Sequence, residues 1–282
     1  AVILVASFTL KLLGVDSYLA QNGIQYGSLL AFAAVFGFAG AIVSLLISKP
    51  VAKWSTKAKV IESPRTPAER WLVDTVRELS ENAGIGMPEV AIFPASQSNA
   101  FATGWNKNNS LVAVSEGLLH RFNKEEIRAV LGHEIGHVAN GDMVTLALIQ
   151  GVVNTFVIFA SRVIGSFVDR VVFKNESGHG IGFFVVSIAA EIVLGILAST
   201  IVFWFSRRRE YRADIAGAQL AGRGAMINAL ARLKQESEVP DQMPDSLQAF
   251  GINRGARAGI SALFMTHPPL DSRIEALKSA QL

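Results

Sequence analysis

The sequence of 282 residues contains no cysteine, which excludes disulfide bonds and every metal site that needs a thiolate ligand. Charged residues are also scarce: they make up 17% of the chain, against roughly 25% in soluble domains. The 26 basic and 23 acidic residues nearly balance, and no basic stripe alternates with aromatic side chains. We therefore expect no nucleic-acid partner. The lack of cysteine is consistent with a reducing compartment.

Long apolar stretches take the place of the missing charge, and mean hydropathy is +0.36. Four such stretches predict a protein of the lipid bilayer, at residues 1–15, 27–48, 143–172 and 181–205. A membrane-spanning helix needs about 20 residues, so the first stretch is too short, and it carries Lys11. Because the sequence does not begin with Met, we expect this span to be truncated.

Basic residues cluster after the second and the fourth stretch, whereas the loop between the first two stretches has none. The two clusters are Lys49, Lys53, Lys57 and Lys59, and Arg207, Arg208, Arg209 and Arg212. Loops rich in lysine and arginine stay in the cytoplasm. We therefore expect a multi-pass protein whose polar segments and both termini face the cytoplasm.

The polar segments are too short to fold separately, so we expect them to form one α+β domain with a small sheet. The predicted organisation is two N-terminal spans at 1–48, a first domain part at 49–142, a membrane hairpin at 143–205 and a second part at 206–282. The motifs Thr66–Glu69 and Asn123–Glu126 are capping boxes that predict helix starts. MPEVAIFP, SNAFATG and SLVAVS predict strands. GAMINALARLKQES and HPPLDSRIEALKSA predict two late helices.

The stretch LGHEIGHVAN, which begins at Leu131, carries the clearest chemical signal. His133 and His137 lie one helical turn apart on one face, so both imidazoles can reach one metal ion. Zinc accepts imidazole and carboxylate ligands, and three protein ligands leave a fourth position for water. Glu134 is then placed to accept a proton from that water. Chance produces this motif in roughly one chain per hundred of this length, so the alternative is a pair of purely structural histidines.

A third ligand must come from another part of the chain, and RRREYRADIAGAQL offers Glu210 and Asp214 on one helical face. We predict Glu210 as the ligand and Asp214 as the carboxylate that orients a ligand histidine through its second ring nitrogen. Alternatively, Glu210 pairs with a neighbouring arginine on a solvated face. The rival ligands are His267 and Glu191. Glu191 lies inside the fourth stretch, where it can pair with Arg162.

The stretches HEIGH, RRREYRAD and FMTHPPLDSRIEAL resemble the HtpX family of bacterial membrane-bound zinc metalloproteases, which are related to the CAAX prenyl proteases. The resemblance covers nearly the whole chain. The resemblance implies membrane-spanning helical hairpins and a cytoplasmic zincin-like α+β domain. It implies a stress-related zinc metalloendopeptidase of the bacterial inner membrane that removes damaged or misfolded membrane proteins. His133, His137 and Glu210 would bind one Zn²⁺ per chain, and Glu134 would be catalytic. His267 and Arg273 would contact the tetrahedral intermediate, although His267 alone could be a turn residue before Pro268.

A polypeptide substrate can bind in an extended form along an open sheet edge, where main-chain hydrogen bonds require little sequence preference. SNAFATG is the candidate edge strand, and we predict that Asn99 and Ala100 lie nearest the cleft; alternatively, it is an ordinary strand. Three other functions compete: a specific processing enzyme such as a prenyl-protein protease, a non-catalytic scaffold with structural zinc, and a metal transporter using Arg162 and Glu191. A structural zinc site has no use for Glu134, and the spans contain no histidine.

Overall fold

The computed structural model describes residues 25–175, 180–236 and 266–281, so the first predicted span lies outside the described residues. The helices are α1 (Tyr26–Thr56), α2 (Pro67–Asn82), α3 (Glu116–Arg121), α4 (Lys124–Ala139), α5 (Asp142–Val171), α6 (Ile181–Ala221), α7 (Arg223–Glu236) and α8 (Leu270–Ser279). The strands are β1 (Lys59–Val60), β2 (Glu89–Phe93), β3 (Ala100–Asn106) and β4 (Asn109–Ser115).

Three helices in the described part of the chain are long and apolar enough to cross a membrane: Gly27–Thr56, Asp142–Val171 and Ile181–Ala221. They coincide with the second, third and fourth apolar stretches. The last helix differs from the predicted span, because it continues without a break from the apolar stretch through the basic cluster to Ala221. Glu210 and Asp214 therefore belong to the same helix as Glu191.

The chain divides into two compact units, and the first consists of Ala1–Ser44 and Ala147–Val202. Its described residues are helical apart from Gln25 and the turn between α5 and α6. Asp169 holds that turn, because its carboxylate accepts hydrogen bonds from the backbone N–H of Gly180 at 2.9 Å and of Phe183 at 3.1 Å. A carboxylate is favourable at the start of a helix, where backbone N–H groups lack partners. In the same unit, the predicted pair of Arg162 and Glu191 is confirmed, with Nη1 and Oε2 3.3 Å apart.

The second unit, Leu45–Leu146 with Phe203–Leu282, contains a four-stranded mixed sheet in the order β1-β2-β4-β3. β2 runs parallel to β4, whereas β1 and β3 pair antiparallel with their neighbours. The three predicted strands are confirmed as β2, β3 and β4. β1 was not predicted, because two residues are too few to show a periodic pattern. β3, the candidate substrate strand, lies at one edge of the sheet.

Helix α4 lies at the centre of this unit, packed against β3, α2 and α7. Both predicted capping boxes are present, at the start of α2 and of α4. The core combines apolar side chains from six helices and three strands, among them Leu72, Val76, Leu79, Val90, Ala100, Val112, Val114, Leu118, Leu131, Ile135, Ala218, Met226, Leu230, Leu233, Leu270 and Leu277. Every residue of α4 from Ala129 to Val138 is buried. The two histidines and the glutamate of the motif are therefore held inside the protein.

Candidate metal centre

Local sequence fixes where α4 begins and ends, and so where its histidines point. The Asn123 side chain accepts a hydrogen bond from the Glu126 N–H at 2.9 Å, and the Glu126 carboxylate accepts one from the Asn123 N–H at 3.0 Å. The helix ends at Ala139, immediately before Asn140. Between these ends, the rings of His133 and His137 lie edge to face with their centroids 4.7 Å apart.

Glycines allow α4 and α6 to approach closely, and this approach delivers Glu210. A Cβ atom added to Gly136 would lie 2.8 Å from the Cβ of Ala216, and one added to Gly132 would lie 3.3 Å from the Cα of Gly217. On the other side of the contact, a Cβ added to Gly217 would lie 3.0 Å from the backbone nitrogen of His133. Larger side chains at these positions would push the helices apart. We call the contact of Gly132, Gly136, Ala216 and Gly217 the glycine seam.

The structure brings together His133, His137 and Glu210, whose potential ligand atoms all lie within 4.8 Å of one another. The Nε2 atom of His133 is 3.6 Å from Glu210 Oε2, and that of His137 is 3.3 Å from Glu210 Oε1. All three side chains are buried. Residues from two helices that are distant in sequence thus converge on one point.

A buried carboxylate holds the other ring nitrogen of each histidine. Asp214 Oδ1 lies 2.9 Å from Nδ1 of His133, and Asp142 Oδ2 lies 2.7 Å from Nδ1 of His137. Burial alone would lower the pKa of His133, but hydrogen bonds to Asp214 and Glu210 and the charge of Asp214 raise that pKa to about 9. The contact between Asp214 and His133 is the one that we expect of a carboxylate that orients a ligand histidine.

The Arg273 side chain contacts the cluster and has no solvent exposure. Its Nε and Nη2 atoms donate to the two carboxylate oxygens of Asp214 at 2.8 and 2.6 Å, and its Nη1 atom is 3.4 Å from Glu210 Oε2. Burial opposes the charge of Arg273, yet the carboxylates of Asp214, Glu210 and Glu134 raise the pKa of the guanidinium. It therefore stays a cation that joins the carboxylates of α6.

His267 and Glu134 complete the buried group of polar residues. The Nδ1 atom of His267 is 2.8 Å from Glu210 Oε2, and the side chain is 8% exposed. Glu134 is 4% exposed, and its charge acts on Arg273. Six of the nine predicted site residues are therefore in one cluster through direct contacts, and Glu134 adjoins it on α4. The six are His133, His137, Glu210, Asp214, His267 and Arg273.

Asn99 and Ala100 lie at the start of the edge strand, and Ala100 is the first residue of β3. The N–H of Asn99 donates to Ser115 Oγ at 2.9 Å, and its carbonyl accepts from the Ser115 N–H at 2.8 Å. Ala100 pairs with Val114 on β4. Both side chains are buried, so a ligand at these two residues would contact the main chain rather than the side chains.

Sequence reasoning missed Asp142 and the glycine seam. Asp142 lies five residues after His137 and beyond the end of α4. No helical period therefore relates the two residues. The seam did leave a signal: glycine at the i and i+4 positions of α4, and small residues along Ala213, Ala216 and Gly217 of α6. Small residues at such spacing permit close helix packing, but they do not identify the partner helix.

The donor set fits a metal ion. Both imidazoles have Nδ1 against a carboxylate, which leaves each Nε2 facing Glu210. Within the described part of the chain, neither oxygen of Glu210 accepts a hydrogen bond of regular geometry, although both are buried. Two imidazoles and one carboxylate match zinc sites that keep an open position.

Comparison with known proteins agrees with this geometry. Residues 67–281 match Peptidase family M48. The chain belongs to this family. Protease HtpX of Hahella chejuensis is 69% identical over 98% of this chain and 94% of its own length. Protease HtpX of Ectopseudomonas mendocina is 68% identical over 99% of this chain and 95% of its own.

The fold also resembles the crystal structure of Ste24p from S. mikatae, with a TM-score of 0.64 at 19% identity over 98% of this chain and 67% of that one. The predicted resemblance and enzyme class are thereby confirmed: this M48 peptidase is a metal-dependent protease that acts on polypeptides. Its three apolar helices and its relatives make it a membrane protein.

Proposed function

We propose that this M48 peptidase is a zinc-dependent endopeptidase that cleaves damaged or misfolded membrane proteins on the cytoplasmic side of the bacterial inner membrane. The observation that supports this most strongly is the convergence of His133, His137 and Glu210, with Glu134 beside them on α4. We assign the first three residues as ligands of one Zn²⁺. When bound, zinc would polarise the substrate carbonyl and make water easier to deprotonate.

Glu134 acts as general base and then as general acid. It accepts a proton from the attacking water, and later donates that proton to the leaving amine of the cleaved peptide. Its position immediately after His133 places it about 100° around the helix from that ligand. Its burial keeps bulk water from competing for the proton.

His267 and Arg273 have different roles in this proposal. His267 is the more accessible of the two, and we assign it to the developing oxyanion, where one donor is worth about 3 kcal/mol. Arg273 is fully buried and bidentate on Asp214. We therefore assign it as a positioning residue for Glu210 and Asp214, which differs from the direct contact that the family resemblance implies.

The substrate binds in an extended form along the outer edge of β3, beginning at Asn99 and Ala100. Two observations support this: β3 is an edge strand, and α4, which carries the catalytic motif, packs against it. Main-chain pairing tolerates many sequences, and a quality-control protease needs such tolerance. The catalytic domain in this proposal is zincin-like and consists of residues 49–142 and 206–282.

Lysine and arginine next to the apolar helices support the cytoplasmic orientation. Lys49 and Lys53 lie near the C-terminal end of α1, and Lys57 directly follows it; the arginine cluster follows the apolar part of α6. Such residues are enriched on the cytoplasmic side of membrane helices. A cytoplasmic site would be open to misfolded segments emerging from the bilayer.

The decisive experiment compares the unmodified chain with Glu134→Gln, both purified in detergent. Glu125→Gln is the matched control, because it makes the same change at an exposed position of the same helix. Zinc content and cleavage of an unfolded protein are measured for all three. We expect one zinc per chain in each sample, and cleavage by the unmodified and Glu125→Gln chains alone.

Two results would contradict the proposal in different ways. If no sample binds zinc, the ligand assignment is wrong. If all bind zinc and Glu134→Gln still cleaves, the site is not the one that hydrolyses peptides.

A further inference from the structure

We propose that Asp142 is a positioning residue that orients the metal ligand His137 and sets the affinity of the site for its metal. The inference rests on the proposed function, because it takes His137 as a ligand. Asp142 is the first residue of α5 and only 2% exposed. Neither the HEIGH motif nor the second ligand segment includes it.

The contact between the two side chains fixes which nitrogen of His137 can bind a metal. Asp142 Oδ2 lies 2.7 Å from His137 Nδ1. An ionised carboxylate can only accept a hydrogen bond, so Nδ1 must carry the hydrogen. The lone pair is then on Nε2, the atom that faces Glu210 at 3.3 Å.

The two histidines are supported in the same way by carboxylates from two different helices. Asp214 on α6 holds Nδ1 of His133 at 2.9 Å, as Asp142 on α5 holds Nδ1 of His137. Both carboxylates are almost completely buried, so water does not compete for these hydrogen bonds. Without Asp142, the ring of His137 would lose its fixed orientation and its preferred tautomer.

A turn at the end of α4 brings Asp142 back to the histidine. Gly141 has φ +67°, in the left-handed region that glycine adopts without steric cost. The N–H of Gly141 donates to the carbonyl of Val138 at 3.1 Å. The chain therefore reverses tightly, and the first side chain of α5 contacts the last ligand of α4.

A purely structural explanation makes a different prediction. A carboxylate at a helix start stabilises that helix whether or not a metal is bound. Loss of that effect would lower the melting temperature of the metal-free protein and would leave metal affinity unchanged. If Asp142 instead orients His137, replacing Asp142 should weaken metal binding.

The test uses the full chain in detergent with Asp142→Asn and Asp142→Ala. Asp271→Asn is the matched control, because Asp271 also lies in the first turn of a helix but is exposed. Zn²⁺ affinity is measured by competition with a chromophoric chelator, and Co²⁺ absorption reports ligand geometry. Melting temperature is recorded for the metal-free protein.

We expect both Asp142 variants to bind Zn²⁺ 10- to 100-fold more weakly. Their Co²⁺ spectra should change, and any loss of stability in the metal-free protein should be smaller than the loss of metal-binding free energy. Asp271→Asn should match the unmodified chain in affinity and spectrum.

Unchanged Zn²⁺ affinity in Asp142→Asn and Asp142→Ala would overturn the inference, while binding by the unmodified chain would leave the proposed function intact. The inference would also be overturned if weaker binding came with an equal loss of metal-free stability. If the unmodified chain binds neither Zn²⁺ nor Co²⁺, the proposed function fails and the inference fails with it.

Discussion

Helix α6 carries two glutamates that each face an arginine, and their surroundings differ. Glu191 is 3.3 Å from Arg162, and the two side chains are 40% and 29% exposed. Glu210 is 3.4 Å from Arg273, and neither side chain is exposed. The distances are almost equal, so distance does not distinguish the pairs.

The number of partners does distinguish them. Among the residues that the structure describes, Arg162 and Glu191 form an ion pair with each other through one pair of atoms. Arg273 contacts both oxygens of Asp214 as well as Glu210, and His133, His137 and His267 also approach Glu210. A buried charge is stable only when other groups satisfy it. We therefore expect the Arg273 network to control function, and the Arg162 pair to affect stability alone.

Replacement of Arg273 should produce the largest effect. Arg273→Met leaves two buried carboxylates without their cation, which should cost about 3–5 kcal/mol of stability. Arg273→Lys keeps the charge but cannot bind both oxygens of Asp214, so it should lie between Arg273→Met and the unmodified chain. Melting temperature and cleavage rate per bound metal measure the two effects. A fully active and stable Arg273→Met chain would show that the network has no such role.

The glycine seam should be the next most sensitive feature. Gly136→Ala places a methyl group against Ala216 and Ala213, and we expect it to cost about 1–3 kcal/mol and to weaken metal binding. Gly224→Ala is the matched control, because a Cβ there meets no atom within 4 Å. That variant should be neutral or slightly more stable, since alanine favours helix. Equal behaviour of the two variants would mean that close contact of α4 and α6 is not needed to position Glu210.

The smallest effect should come from the pair in the first unit. Arg162→Gln and Glu191→Gln should each lower the melting temperature, because each leaves one charge unpaired within an apolar segment. The double variant should recover part of the loss, with a coupling energy of about 1 kcal/mol. Metal content and cleavage should be unchanged in all three. A loss of metal in either single variant would contradict the separation of the two pairs.

The sequence predicts the local parts of this protein well. His133, Glu134 and His137 lie within one helix, so their spacing alone defines their relation. Glu210 and Asp214 also lie on one helix, so their spacing of four residues places them one turn apart. The capping boxes of α2 and α4 also depend only on residues three apart, and the structure contains both.

Other features depend on contacts between distant segments. The sequence predicts that the helix ends at Asn140 and Gly141, but it does not show that the left-handed Gly141 turns Asp142 back onto His137. Arg273 reaches Asp214 because α8 packs on α7, which is a property of the whole core. The two-residue β1 is defined only by its pairing with β2.

The central claim is that His133, His137 and Glu210 together hold the catalytic metal. It is tested most directly by the zinc content of the full chain with Glu210→Gln, measured at equilibrium beside the unmodified chain. We predict about one zinc in the unmodified chain, and little zinc and no cleavage in the variant. A Glu210→Gln chain that keeps its zinc and still cleaves protein would contradict the claim.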